Sequence, residues 1–115
     1  MSKSPRVNQD LFKECIANGF KHIHTEDTPK QDEVVRWMRV EYDVDIELER
    51  CEVNGRKPPV YNGTVDSSYD ATNYNTPLEY DEMQLKCIVE GLRFVKSIRD
   101  YNAGQHKSQV QQENT

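Results

Sequence analysis

Apolar residues along the chain recur at helical spacing in three stretches and at strand spacing in one, and their order predicts the architecture. From Asn8, the residues Leu11, Phe12, Cys15, Ile16, Phe20 and Ile23 keep a period near 3.6 behind an Asn cap, which predicts a first helix. Gly19 offers a C-terminal stop. The shorter helix, with Phe20 to Thr25 as a connector, is preferred to one running on to about His24. A second start follows at Thr28-Pro29-Lys30-Gln31, which places Thr at a cap, Pro at the first helical position and Gln three residues after the Thr. Val34, Val35, Met38 and Tyr42 then share a face with Trp37 on its flank, and Lys30, Glu33, Arg36 and Arg39 point mostly outward. An amphipathic helix from Pro29 to about Tyr42 is expected.

At that point the period changes. In Glu41-Tyr42-Asp43-Val44-Asp45-Ile46-Glu47-Leu48-Glu49, acidic and apolar residues alternate. A strand with this pattern sets Val44, Ile46 and Leu48 on one side and Asp43, Asp45, Glu47 and Glu49 on the other. Cys51 and Val53 fall out of phase, as at a bulge or a strand end. Asn54-Gly55 and Asn62-Gly63 are hairpin-turn dipeptides, and Pro58-Pro59 between them cannot donate to a central ladder. The preferred reading is a loop over Asn54 to Pro59 and a second strand over about Val60 to Asp66; a three-strand meander using both turns is the alternative. Ser67 to Asn75 is polar apart from Tyr69, Ala71 and Tyr74, as in a loop or a weak edge strand.

Leu85, Ile88, Val89, Leu92, Val95 and Ile98 form an apolar stripe over four turns of a last helix. It starts either at Thr76-Pro77-Leu78-Glu79, a second capping box, or at an Asp81 cap. Gly91 inside it marks a close approach to the sheet. The order predicts an α+β fold, a small antiparallel sheet of two or three strands packed on two or three helices. From Asn102 the chain turns to Gln, Asn, Ser and Gly, so a single domain over residues 1–101 and a disordered tail over 102–115 are expected.

Composition limits what that fold can do. Leu, Ile, Val and Phe make up 24 of 115 residues, enough for a small core only. No apolar run approaches the roughly 20 residues of a membrane span, and Met1 to Asp10 lacks a signal-peptide core, so a cytoplasmic protein without membrane association is expected. The formal net charge of -5 hides an asymmetry: Glu41 to Leu85 carries eleven acids and three bases, and no Lys or Arg lies between Pro58 and Leu85. Acids therefore concentrate on the sheet and its loops, and bases on the helices.

Candidate chemistry is sparse. Cys15, Cys51 and Cys87 are far apart, form no C-x-x-C, and sit among apolar neighbours as small buried or half-buried thiols. His22-Ile23-His24 with Glu26 and Asp27 lacks further metal ligands at fixed spacing, and Asp43, Asp45 and Glu47 could hold a divalent cation but have no Lys in their strand. No nucleophile elbow, Cys/His signature or phosphate-cradling glycine loop is present. Arg36 and Arg39, or Arg93, Lys96 and Arg99, share their helices with acids, which opposes direct nucleic-acid binding. Trp37, spaced with Val34 and Met38, belongs to the core or its edge.

The stretch from Glu33 to Leu48, Glu33-Val34-Val35-Arg36-Trp37-Met38-Arg39-Val40-Glu41-Tyr42-Asp43-Val44-Asp45-Ile46-Glu47-Leu48, resembles a pattern in small phage and prophage proteins of unknown function. There a helix ending in a Trp-Leu-Arg-like turn enters a strand through a Gly-Ile-x-Ile junction. Tyr80-Asp81-Glu82-Met83 through Ile88 and Leu92 is similar to the closing helix of the same proteins, which opens with Tyr-Glu-Glu-Ala. The resemblance covers about Thr28 to Ile98, with Asp43-Val44 in place of Gly-Ile, a longer loop before the last helix and no counterpart to Met1 to Asp27. It implies a phage accessory protein of the bacterial host cytoplasm and carries no catalytic residues to transfer.

The expected function is thus a small non-enzymatic binding module that holds a basic host or phage protein through Asp43, Asp45, Glu47 and Glu49, in its narrower form by imitating a nucleic acid. The alternatives are a divalent-metal-dependent enzyme using the strand carboxylates, and a structural or assembly component working as a homodimer. No cofactor is expected.

Overall fold

A computed structural model describes residues 5–21, 28–52 and 59–113, with side chains as far as Ala103. The first helix, α1 (Gln9–Ala17), begins where Asn8 in extended backbone accepts a hydrogen bond from the Leu11 N–H on its side-chain oxygen, at 2.8 Å. It ends at Gly19, as the shorter reading expects. Gly19 has φ +97°, its N–H donates to the Ile16 carbonyl, and the Phe20 N–H donates to the Cys15 carbonyl. These are the paired bonds that satisfy the last carbonyls of a helix closed by a left-handed residue.

The second helix, α2 (Gln31–Tyr42), starts two residues later than its capping box predicts. Thr28 does not cap it, and Lys30 at the N-terminal position has extended backbone and no side-chain cap. The reason is distant in sequence. The Val7 N–H donates to the Pro29 carbonyl at 2.9 Å, the Gln31 N–H donates to the Pro5 carbonyl at 2.8 Å, and Arg6 pairs antiparallel with Lys30. Extended pairing with the N-terminal segment thus claims the backbone that the first helical turn would have used. Val34 and Met38 face the core, with Val35, Trp37 and Tyr42 partly buried beside them. Asp43, with φ 55°, turns the chain out of the helix in the left-handed conformation that Asp tolerates better than most residues.

Strands β1 (Asp45–Cys51), β2 (Val60–Asp66) and β3 (Ala71–Leu78) form an antiparallel sheet in the order β1-β2-β3. β2 has the predicted limits. Asn62-Gly63, however, is not a turn: it lies mid-strand, Glu49 opposite Asn62 and Leu48 opposite Gly63. The Asn54-Gly55 turn lies outside the described residues. β2 reaches β3 through Ser67 to Asp70, where the Ser67 hydroxyl accepts from the Tyr69 and Asp70 N–H groups. β3 takes in Thr76-Pro77-Leu78, so the capping box there is not used either, and the β2–β3 register slips between Tyr61 and Gly63. Pro77 has no N–H to give, and an edge strand next to an irregularity accommodates it.

The last helix, α3 (Tyr80–Glu113), opens with Asp81 and Glu82 in its first turn, the sign that its N-terminal dipole favours. It continues through 102–113, the segment whose composition predicts a tail. Met83, Cys87, Ile88, Leu92, Phe94 and Val95 are buried, whereas Val89, expected in the stripe, is 50% exposed. Gly91 does mark a close approach, but to α2: a Cβ there would lie 2.8 Å from the Met38 sulfur. The helices cover one face of the sheet, which completes the α+β layout. Their far ends are tied together, since the Arg99 guanidinium donates to the Asn18 carbonyl (2.8 Å) and the Tyr42 hydroxyl (2.9 Å), and that hydroxyl donates to the same carbonyl (2.8 Å).

Candidate functional site

The alternation of β1 sorts its side chains as the sequence predicts. Val44 and Ile46 are buried and Leu48 packs against the core, while Glu47 and Glu49 are exposed. Directly opposed residues of an antiparallel pair share a face, so the register extends that outer face onto β2 with Asp66 beside Asp45, Thr64 beside Glu47 and Asn62 beside Glu49. Asn73 of β3 adjoins it, accepting from the Thr64 hydroxyl at 3.1 Å. At the other end Val60, opposite Cys51, is buried.

The four predicted carboxylates do not form one even row. Asp43 lies outside the strand in the left-handed turn after α2, where it accepts a hydrogen bond from the Ser68 hydroxyl at 3.4 Å. Asp45 is on the face but receives the Arg39 Nε at 2.7 Å, with 46% of its side chain exposed. That bond ties the end of α2 to β1 and offsets one negative charge. Glu47 and Glu49 take part in no ion pair among the described residues. At the roughly 6.6–6.8 Å spacing of alternate strand residues, two carboxylates repel by only about 0.6 kcal/mol in water. The strand holds them together with little strain, and a cation placed between them meets both.

Asp66 belongs to this group, and no pattern in the residues around it points there. Its position beside Asp45 follows from the β1–β2 register, which also sets Leu48 opposite Gly63 and which no short-range sequence pattern encodes.

On the opposite side of β1 lies a cleft between β1 and α2, floored by Val35, Val40, Ile46 and Leu48. Gln84 closes its end. That side chain is only 4% exposed, its Nε2 donates to Asp32 Oδ1 at 3.0 Å, and its Oε1 is buried with no hydrogen-bond partner among the described residues. An unsatisfied buried acceptor costs about 1–3 kcal/mol. Asp32 and Gln84 are 52 positions apart, so no spacing in the sequence announces the pair.

Trp37 stacks edge-to-face with Phe20 at 5.2 Å and with Tyr42 at 5.6 Å, a core-edge cluster. Cys15 and Cys87 are buried and Cys51 half-buried, all three as free thiols. No three His, Cys, Asp or Glu side chains gather as a metal site among the described residues; His22, His24, Glu26 and Asp27 lie outside them. No helix among the described residues is long and apolar enough to cross a membrane. Comparison with known protein families, curated proteins and solved structures finds no match to this chain.

Proposed function

We propose that this protein works by contact, holding a basic protein partner against the outer face of its sheet. The observation that carries this reading is the pair Glu47 and Glu49, side by side on an exposed strand, with Asp45 and Asp66 at the same end and no Lys or Arg among the described positions of that face. A face kept acidic merely for solubility would have the same composition. What separates the two is whether binding depends on those carboxylates.

A partner with Lys or Arg set against Glu47 and Glu49 would be steered by their field and lose affinity as salt screens it. Imitation of a phosphate row, to occupy a nucleic-acid-binding groove, is the narrower form of the proposal. The phage accessory role, which rests on the sequence resemblance, is compatible with either.

Triple reversal Asp45→Lys, Glu47→Lys, Glu49→Lys is expected to remove basic proteins from the set captured by the tagged chain in a lysate of its native source. The loss for an isolated partner should be at least about tenfold in affinity. Glu47→Gln with Glu49→Gln, which leaves the Arg39–Asp45 bond in place, should weaken it in the same direction. Circular dichroism matching the wild type would show that the fold survives. An unchanged set of captured proteins would remove the face from consideration.

A further inference from the structure

β1 is an edge strand, paired with β2 on one side and with no strand on the other among the described residues. Its two faces differ in a way that selects what can add there. Outward are Glu47 and Glu49; inward is the cleft against α2, whose floor is Ile46 and Leu48 with Val35 and Val40 across from them. A second copy of β1 pairing antiparallel would set acid against acid along the whole outer face, since opposed residues share a face, and like charges directly opposite are destabilising. The added strand must therefore be different in sequence from β1.

We propose that this free edge takes up an extended segment of the basic partner as a fourth strand, one in which apolar and basic residues alternate. The proposal rests on the contact reading of the outer face and specifies how the partner engages it. Main-chain hydrogen bonds to the open side of β1 supply affinity, and alternate side chains supply specificity. Outward residues meet Glu47 and Glu49 and are basic. Inward residues enter the cleft and are apolar. Arg36, Arg39 and Asp32 rim that cleft and Arg39 is already bonded to Asp45, so the apolar floor selects the inward residues. The apolar floor of the cleft, left uncovered by any described element beside the acidic outer face, is what the inward side chains would cover.

The test uses the full chain and blocked heptapeptides in titration calorimetry. Acetyl-Val-Lys-Val-Lys-Val-Lys-Val-amide is compared with acetyl-Lys-Lys-Lys-Val-Val-Val-Val-amide, which has the same composition and charge. The alternating peptide should bind at least about tenfold more tightly. Two further peptides carry N-methyl groups on either the lysine or the valine amides of the alternating sequence. Since only alternate N–H groups of a strand face its neighbour, one of the two should lose at least about tenfold and the other stay within about twofold. Equal binding of the alternating and block peptides, or equal effects of the two methylation patterns, overturns strand addition and leaves the contact reading of the face standing. No binding by any heptapeptide also overturns strand addition, while the capture experiment with charge-reversed β1 decides the contact reading separately.

Discussion

Replacing Gly63 by valine is expected to leave the chain largely unfolded under conditions the wild type tolerates. Gly63 lies on the inner face of β2, directly beneath α3. A Cβ there would come within 2.6 Å of the Cys87 sulfur, 2.7 Å of the Met83 sulfur and 2.9 Å of Met83 Cγ. Both side chains are fully buried, and the contacts include Cys87 Sγ and Met83 Cγ, atoms close to the backbone that cannot swing aside as the end of a long side chain can. Forcing one extra carbon into a close-packed core costs about 1–3 kcal/mol, so Gly63→Ala should lose about that much and Gly63→Val more. A core this small belongs at the low end of total stability, roughly 5 kcal/mol, where the valine cost comes near the limit. Gly91→Ala is the control. There the near atoms are Sδ and Cε of Met38, the flexible end of a long side chain, and alanine regains about 1 kcal/mol of helix propensity. Urea denaturation should find Gly91→Ala within about 1 kcal/mol of wild type. A Gly63→Val variant as stable as the wild type would mean that α3 does not pack on β2 as described.

The second large effect is alkaline. Burial pushes the Cys15 thiol from 9.0 up to about 12, with the Glu14 carboxylate adding to the shift, and pushes Cys87 up to about 11 against the opposing pull of Lys86. Tyr74 is raised to about 12, by burial first and then by the hydrogen bond its hydroxyl donates to Glu90 at 2.8 Å. Each of these groups keeps its proton in the folded chain at pH values where the unfolded chain has lost it. Above pH 9 the unfolded state therefore binds fewer protons, and stability falls as pH rises. The contribution is complete below pH 9, declines from there, and is gone by about pH 11 for Cys87 and about 12 for Cys15. Each buried thiol contributes a slope of about 1.4 kcal/mol per pH unit within its window. Denaturation midpoints measured from pH 8 to 11 should drop steeply above 9, and Cys15→Ala should flatten the slope even though its cavity lowers stability at pH 8. A flat profile between pH 8 and 10.5 would contradict the burial of these thiols.

How much of this was legible in the sequence depended on how local its cause was. The α1 stop at Gly19, the limits of β2 and the sorting of Ile46 and Leu48 from Glu47 and Glu49 follow from patterns within a few residues. Several of the errors come from contacts between distant segments. Thr28 lost its capping role because Pro5 to Val7 pairs with the backbone of Pro29 to Gln31. Asn62-Gly63 has turn chemistry, but Gly63 is needed mid-strand because Met83 and Cys87 leave no room for a side chain. Val89 keeps helical phase with Ile88 and Leu92 yet lies outside the arc that the sheet and α2 cover. Of the four candidate site residues, the strand pattern placed Asp45, Glu47 and Glu49 on one face. It carried Asp43 along with them because alternation cannot register the left-handed turn that ends α2. Asp66 and the cleft closed by Gln84 come from tertiary register, which no single segment encodes.

Whether the outer face of β1 is where a partner sits is tested most directly by amide chemical-shift mapping of the labelled protein during titration with a basic protein recovered by the capture experiment. The largest shifts are expected at Glu47, Glu49, Thr64 and Asp66, fading as salt is added, with α1 unmoved. Shifts concentrated on α1 or on the exposed flank of α3, with the outer face unchanged, would contradict it.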